Sequence, residues 1–378
     1  MTLITILPAL PALAGTVLYA GFIVVLTIGL LLLRRPAGGF CPSISVVVPM
    51  HNEEQGVRAT LAALQAQDYA GTWEVVCVDD RSSDATAEIV TSVTDSDSRF
   101  RMVSISPDEE DVPSPKKRAL ARGMATARCE ILATTDADCL PPPHWLTTLG
   151  GCFRPGVDIV QGPKHILGDG RFSHRYQRLE VLAFVAAEAA GFALGKPFLA
   201  SAPSLAYRRT VYEAAGGFRG MEGLVSGDDD MLVHRMAKAG GRPSYAFEPS
   251  ASVGTHPADT WAQVLNQRAR WASNGSRYES VGYVAFLIAI FLWWSWLLVG
   301  WIPVLAGTTP GWLWWGPWAL KVPFDLLFMA VAAWRFQCIA MLFPDYLWAL
   351  PLQVVVAVRS AIAGHLGWFR WTREADGG

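Results

Sequence analysis

Two stretches of this 378-residue chain contain no Asp, Glu, Lys, Arg or His: residues 1–33 and residues 281–320. Charge is scarce throughout, at 17% of residues against 52% hydrophobic, and the apolar excess is uneven. At about 100–200 residues per domain, the length allows two soluble domains or one domain plus a membrane part, and the charge-free stretches favour the second. A basic stripe is also lacking. The net charge is −2, which gives no case for nucleic acid as a partner. The six cysteines form no CxxC pair and no His/Cys cluster at zinc spacing, so a zinc module is excluded. They read as small core residues in a reducing compartment. No internal repeat and no low-complexity tract is visible.

The first apolar run, 12–33, is long enough to cross a bilayer, which takes roughly 20 apolar residues. A cleaved signal peptide would carry basic residues before its apolar run. Here Arg34 and Arg35 follow the run, so an uncleaved anchor is expected. The positive-inside rule then places the next segment in the cytoplasm. Further spans are expected at 281–305 and about 321–343, and 345–366 reads as a span or an interfacial helix. Eight of the sixteen tryptophans fall between 293 and 318, and Trp favours the membrane–water interface. Lys321 and Asp325 stand at the start of the second of these spans, where they either snorkel or pair. The basic Arg370 and Arg373 argue that one of the three helices lies on the surface. The expected organisation is an N-terminal anchor (1–35), a cytoplasmic domain (42–280) and a membrane region of two or three helices (281–370), giving a multi-pass protein of the cell membrane.

The middle of the chain alternates short β-branched runs with helical patterns. Strands are expected at 43–50, 73–80, 100–105 and 130–136, with helices at 54–67, 84–93 and 116–126. That alternation predicts an α/β fold with a mainly parallel sheet flanked by helices. Ligands of such sheets sit at the carboxyl ends of the strands. Polar loops gather there: Pro49-Met50-His51-Asn52-Glu53 after the first strand, Asp79-Asp80-Arg81-Ser82-Ser83-Asp84 after the second, and Asp136-Ala137-Asp138 after the fourth. Any one loop also allows an ordinary turn as the lesser reading, and Asp84 suits a helix N-cap. Three loops on one edge read as a binding site.

Asp136-Ala137-Asp138 suits a divalent cation, Mg²⁺ or Mn²⁺, which prefers hard oxygen ligands and phosphate oxygens. Lys116 and Lys117 begin a helix after Pro115. They either solvate the helix start or add positive charge for an anion, and cations at a helix N-terminus oppose the dipole. Asp228, Asp229 and Asp230 precede Met231-Leu232 in a segment, 228–240, that reads as a helix. Carboxylates in a first turn are favoured by about 0.3–1 kcal/mol each, which accounts for one or two of the three. A carboxylate held beside like charges also becomes a better base. Before the membrane stands Gln267-Arg268-Ala269-Arg270-Trp271, which reads equally as a phosphate- and sugar-binding segment and as a basic helix on anionic lipid headgroups.

Together these motifs resemble the membrane-bound family 2 glycosyltransferases, which have a GT-A fold. The resemblance runs from about 42 to 275 in chain order: S-V-V-V-P-M-H-N-E-E, V-D-D-R-S-S-D, K-K-R-A-L-A-R-G, T-D-A-D, A-P-S-L-A-Y-R-R with G-G-F, G-D-D-D-M-L and Q-R-A-R-W. It implies that Asp79 and Asp80 contact the nucleoside of a nucleotide sugar, with Pro49, Asn52 and Glu53 nearby. Lys116 would approach the diphosphate, Asp136 the ribose or phosphate, and Asp138, with Asp136, the metal. Many relatives carry Glu-Asp-x-x-Leu as the base motif; aligned on Leu232, Asp229 becomes the general base and Asp228 takes the glutamate's place. Gln267, Arg268, Arg270 and Trp271 would border acceptor and diphosphate. The implied reaction is an inverting transfer from a nucleoside-diphosphate sugar, a UDP-sugar being the expected donor.

Few spans and no C-terminal regulatory domain favour transfer of one sugar to a lipid-like membrane acceptor. A small processive polysaccharide synthase is the alternative. A catalytically inactive membrane scaffold that binds nucleotide sugars is a different class, which the full set of acidic residues argues against. Gly-Asp-Asp as a polymerase motif would need a basic template channel that the charge balance does not supply.

Overall fold

Residues Ile44–Met50 form strand β1, and all seven of its side chains are buried. A strand covered on both faces reads as an unbroken apolar run rather than an alternation, and Ile-Ser-Val-Val-Val-Pro-Met is such a run. β1 lies parallel to β2 (Trp73–Asp79), paired from Ile44↔Trp73 to Met50↔Asp79. On its other side it lies parallel to β4 (Ile131–Thr134), from Ile44↔Ile131. β3 (Phe100–Ser104) extends the parallel set beyond β2.

The computed structural model describes residues 9–36, 38–109, 114–221, 223–224 and 226–370. They divide into an α/β unit, Leu32–Asp169 and Ala187–Pro257, and a helical unit drawn from Met1–Leu31, Gly170–Ala186 and Ala258–Gly378.

In the α/β unit, the order of the seven-stranded sheet is β3-β2-β1-β4-β8-β6-β9. β8 (Leu205–Arg208) runs antiparallel to both β4 and β6 (Ile159–Gln161). β9 (Pro243–Tyr245) is parallel to β6. The fold is thus α/β of GT-A type, with a sheet that is parallel over β1 to β4 and mixed beyond them. A three-stranded sheet, β5-β10-β7, is made of Cys139–Leu140, Val253–Thr255 and Lys164–Ile166.

Crossover helices cover the sheet. Helix α2 (Val57–Gln65; α1 is Ala9–Leu32) buries Val57, Thr60, Leu61 and Leu64, the spacing of one helical face. α3 is Thr86–Thr94. α4 (Pro115–Thr126) opens on Pro115, which suits the first helical position. Its buried face holds Lys117, Leu120, Gly123 and Met124. A Cβ on Gly123 would stand 2.3 Å from Val47 Cγ1 and 2.9 Å from Val78 Cγ2, so this glycine sets how closely α4 approaches the sheet. Gly123→Ala is expected to cost about 1–3 kcal/mol by overpacking, read as a lowered unfolding midpoint.

In the helical unit, four helices are long and apolar enough to cross a membrane: Pro11–Leu32, Val281–Val299, Trp312–Arg335 and Tyr346–His365. Two boundaries correct the sequence reading. The span expected at 281–305 ends at Val299, and a short helix, Trp301–Leu305, follows. The span expected at about 321–343 runs from Trp312 to Arg335 and continues through Pro317 and Pro323. Lys321 and Asp325 therefore lie in mid-helix, and they pair rather than snorkel: Lys321 is buried and forms an i,i+4 ion pair with Asp325. Phe172–Ala193 forms a long helix whose first part belongs to this unit. Trp261–Ala272 is a helix started by a capping box between Thr260 and Gln263.

Candidate active site

The parallel register brings the ends of β1, β2 and β4 to one edge of the sheet. After β1 the backbone turns through Asn52 in the left-handed region, φ +54°. Asn52 Oδ1 accepts from Ser83 N at 2.8 Å, and Ser82 Oγ accepts from Asn52 N at 3.0 Å. Glu53 N donates to Thr86 Oγ1 at 2.7 Å. Asn52 and Glu53 thus lock the loop after β1 to the loop after β2. Asp84 accepts from the backbone of Thr86 and of Glu54, so it ties the two loops together; the N-cap of the helix is Ala85, not Asp84 as expected.

Asp79 and Asp80 end β2 and are buried. Asp80 Oδ1 accepts from Arg118 at 2.6 Å. Asp79 Oδ1 and Asp80 Oδ2 have no hydrogen-bond partner among the described residues. Buried carboxylate oxygens without partners are costly, so both are available to donors from a ligand.

Lys116 is the hub. Its Nζ lies 2.7 Å from Asp136 and 3.0 Å from Asp228. It does not merely solvate a helix start; it joins the loop after β4 to the acidic segment. Burial works against its charge, but Asp136 and Asp228 outweigh burial and hold its pKa above the ordinary range. Lys117 points the other way, into the protein. Its Nζ donates to the carbonyls of Leu224 and Ser226, each at 2.6 Å, and of Met221 at 3.4 Å. It thereby fastens the backbone just ahead of Asp228.

Gly227 adopts φ +88°, a region closed to most side chains, and turns the chain between that anchor and the acids. The helix expected from 228 begins later, at Asp230, because Asp228 is drawn to Lys116 and Asp229 serves as the N-cap. Asp229 Oδ1 accepts from Asp230 N at 2.8 Å, and Oδ2 from Ala202 N at 3.2 Å. Burial, then the charges of Asp228 and Asp230, push Asp229 well above the usual carboxylate range.

Asp136, Asp138 and Cys139 offer donor atoms all within 4.8 Å of one another. Burial and the neighbouring Asp136 raise Asp138, as desolvation and a like charge do for a carboxylate. Burial, then the nearby Asp136 and Asp138, raise the Cys139 thiol. Asp136 and Asp138 offer hard carboxylate oxygens, which fit Mg²⁺ or Mn²⁺.

Three residues of this unit escaped the sequence reading, Arg118, Glu188 and Lys164, and so did the inward role of Lys117. Glu188 is buried, lies 3.5 Å from Lys164 and accepts from Ser201 Oγ at 3.3 Å. Ser201 precedes Ala202, whose N–H holds Asp229, so Glu188 braces the peptide that positions it. The helical spacing of Lys117 with Leu120 and Met124 was a usable signal that Lys117 faces inward.

The structure brings together Lys116, Asp136 and Asp228 directly, with Asp138 beside Asp136 and Asp229 beside Asp228. Pro49, Asn52, Glu53, Asp79 and Asp80 line the same sheet edge. Gln267, Arg268, Arg270 and Trp271 lie on Trp261–Ala272 in the helical unit. Arg268 is buried there, donating to Glu180 Oε2 at 2.8 and 2.5 Å and lying 4.4 Å from the Trp271 ring centroid.

Residues 42–274 match the family described as glycosyltransferase-like family 2. Among curated proteins, Glycosyltransferase AglE of Haloferax volcanii is 26% identical over 69% of this chain and 82% of its own length. Probable glycosyltransferase YdaM of Bacillus subtilis is also 26% identical, over 65% of this chain and 57% of its own, so the chain spans little more than half of that relative. Among solved structures, the mannosyltransferase PcManGT of Pyrobaculum calidifontis, in complex with GDP-Man and Mn²⁺, superposes with a TM-score of 0.59 at 20% identity. The superposition covers 95% of this chain and 99% of that one.

Proposed function

Because the chain belongs to glycosyltransferase-like family 2, we propose that it is an inverting glycosyltransferase that moves one sugar from a nucleoside-diphosphate sugar to a lipid acceptor in the membrane. One observation carries the reading: a half-buried carboxylate of raised pKa, Asp229, stands next to an acid tied to the lysine that also meets Asp136. A base, a positive charge and a hard-metal carboxylate pair are the groups an in-line displacement on a sugar diphosphate requires.

The residues divide the work as follows. Asp79 and Asp80 present their free oxygens to nucleoside donors. Lys116 gives its positive charge to the diphosphate. Asp136 and Asp138 hold the cation, which supplies neutralisation of the diphosphate when bound. Asp229 takes the proton of the acceptor hydroxyl as the new glycosidic bond forms and the old bond to the diphosphate breaks. The PcManGT complex with GDP-Man and Mn²⁺ supports the donor and metal classes; a UDP-sugar remains the expected donor here. The four apolar helices and the basic pair Arg34-Arg35 support a multi-pass protein whose catalytic unit faces the cytoplasm.

The test is a donor and product screen. Protein in lipid nanodiscs is given Mg²⁺ or Mn²⁺, labelled UDP- and GDP-sugars, and a total lipid extract. Label in an organic-soluble product is expected, and it should disappear with chelator. Asp138→Ala should lose the response to added cation. Label in a large water-soluble product would establish the processive alternative. Tight nucleotide binding without transfer or donor hydrolysis would establish a scaffold.

A further inference from the structure

Two buried ion pairs of the helical unit share one cavity. Lys321 and Asp325 form the first pair, and Asp325 Oδ1 accepts from Tyr19 Oη at 2.5 Å. Arg268 and Glu180 form the second, and Glu180 Oε1 accepts from Tyr176 Oη at 3.2 Å. One carboxylate from each pair, Asp325 and Glu180, lines a cavity of about 90 Å³. Tyr19, Tyr176 and Tyr346 add three phenols to its wall, and the remainder is largely apolar. Tyr346 is 7% exposed, and its Oη has no hydrogen-bond partner among the described residues. A buried hydroxyl without a partner is a cost that native structures rarely leave unmet.

We propose that this cavity seats the hydroxyl headgroup of an uncharged membrane lipid. The charge balance selects that class. Each carboxylate is already matched by a cation, so a phosphate entering the cavity would meet two carboxylates and no spare positive charge, at a large desolvation cost. A neutral hydroxyl meets no such penalty. It donates to a carboxylate oxygen and accepts from Tyr346 Oη, which satisfies the orphan phenol. The volume holds several waters or a small hydroxylated group, not a nucleotide. The apolar part of the wall suits the first carbons of a lipid chain. The seat requires only a membrane protein; naming its occupant as the acceptor rests on the function proposed above.

The experiment uses the full chain in phosphatidylcholine nanodiscs and a diacylglycerol whose acyl chain carries a diazirine close to the glycerol. Ultraviolet light is expected to label peptides that contain Phe328 or Tyr346. Unlabelled dioleoylglycerol should compete, and the matching phosphatidic acid should not. Tyr346→Phe, which removes only the hydroxyl, should weaken competition by about two- to tenfold, the effect of one lost hydrogen bond. Ala349→Trp, which fills the cavity, should abolish labelling. Equal competition by phosphatidic acid would overturn the choice of a neutral lipid. Labelling unchanged in Ala349→Trp would mean bulk bilayer contact, and no labelling at these peptides would mean a water-filled cavity; either would overturn the seat. No donor is present, so specific labelling without sugar transfer to diacylglycerol would uphold the seat and reject only its identity as acceptor.

Discussion

Replacing Asp229 by Asn is expected to lower turnover by about 10²–10⁴-fold, the range for loss of a general base, while leaving nucleotide-sugar affinity nearly unchanged. The substitution keeps shape and removes the proton acceptor. Asp229 also accepts from Ala202 N and Asp230 N, and an amide oxygen retains one such bond, so the loop should hold its place. Asp228 is the rival base, but its carboxylate is occupied by Lys116 at 3.0 Å. Asp228→Asn should therefore weaken donor binding more than it slows the chemical step. The pH profile supplies a second reading. Burial and two like charges raise Asp229, so the charged, proton-accepting form prevails only above that raised pKa. Wild-type turnover should rise with pH through a midpoint above the ordinary aspartate value of about 3.9, and fall as pH drops through it. The residual turnover of Asp229→Asn should lack this limb. Wild-type turnover in Asp229→Asn would remove it from the mechanism.

Arg268→Ala is expected to destabilise the protein by about 3–5 kcal/mol, because it leaves Glu180 buried and unpaired. Arg268 is 5% exposed and Glu180 8%, which leaves little water to compensate either charge. Thermal unfolding in detergent should show the loss, and Glu180→Ala should reproduce it. The double variant Arg268→Met/Glu180→Leu should recover most of the stability, since an apolar replacement of both partners removes the buried charge altogether. A solvent-facing phosphate ligand predicts the opposite pattern. If Arg268→Ala unfolds like wild type and only raises KM for the donor, the ion pair does not hold this helix.

The strand ends were legible in the sequence because a buried parallel strand is a continuous β-branched run, and its last residues are where polar groups gather. Asp79, Asp80, Asp136 and Asp138 were found that way. The inward role of Lys117 was not, because its acceptors lie more than a hundred residues on, at Leu224 and Ser226. Arg268 was seen as part of a basic segment, while its partner Glu180 sits in a different helix. β5 to β10 have two to four residues each, too few to show a period. The helix expected at about 321–343 runs from Trp312 to Arg335, with Pro317 and Pro323 inside it.

Helix α4 sends three consecutive side chains to three destinations: Lys116 to Asp136 and Asp228, Lys117 to the carbonyls of Leu224 and Ser226, and Arg118 to Asp80. At 3.6 residues per turn, neighbours on a helix diverge by about 100°, which is what lets one short segment serve all three. The same geometry makes the segment intolerant of any change in length. A residue inserted or deleted between Pro115 and Leu120 would swing every following or preceding side chain onto the wrong face, severing several of these ties in one event. Substitutions there act one tie at a time. Drift in this gene should therefore be less forgiving of altered spacing in α4 than of altered letters.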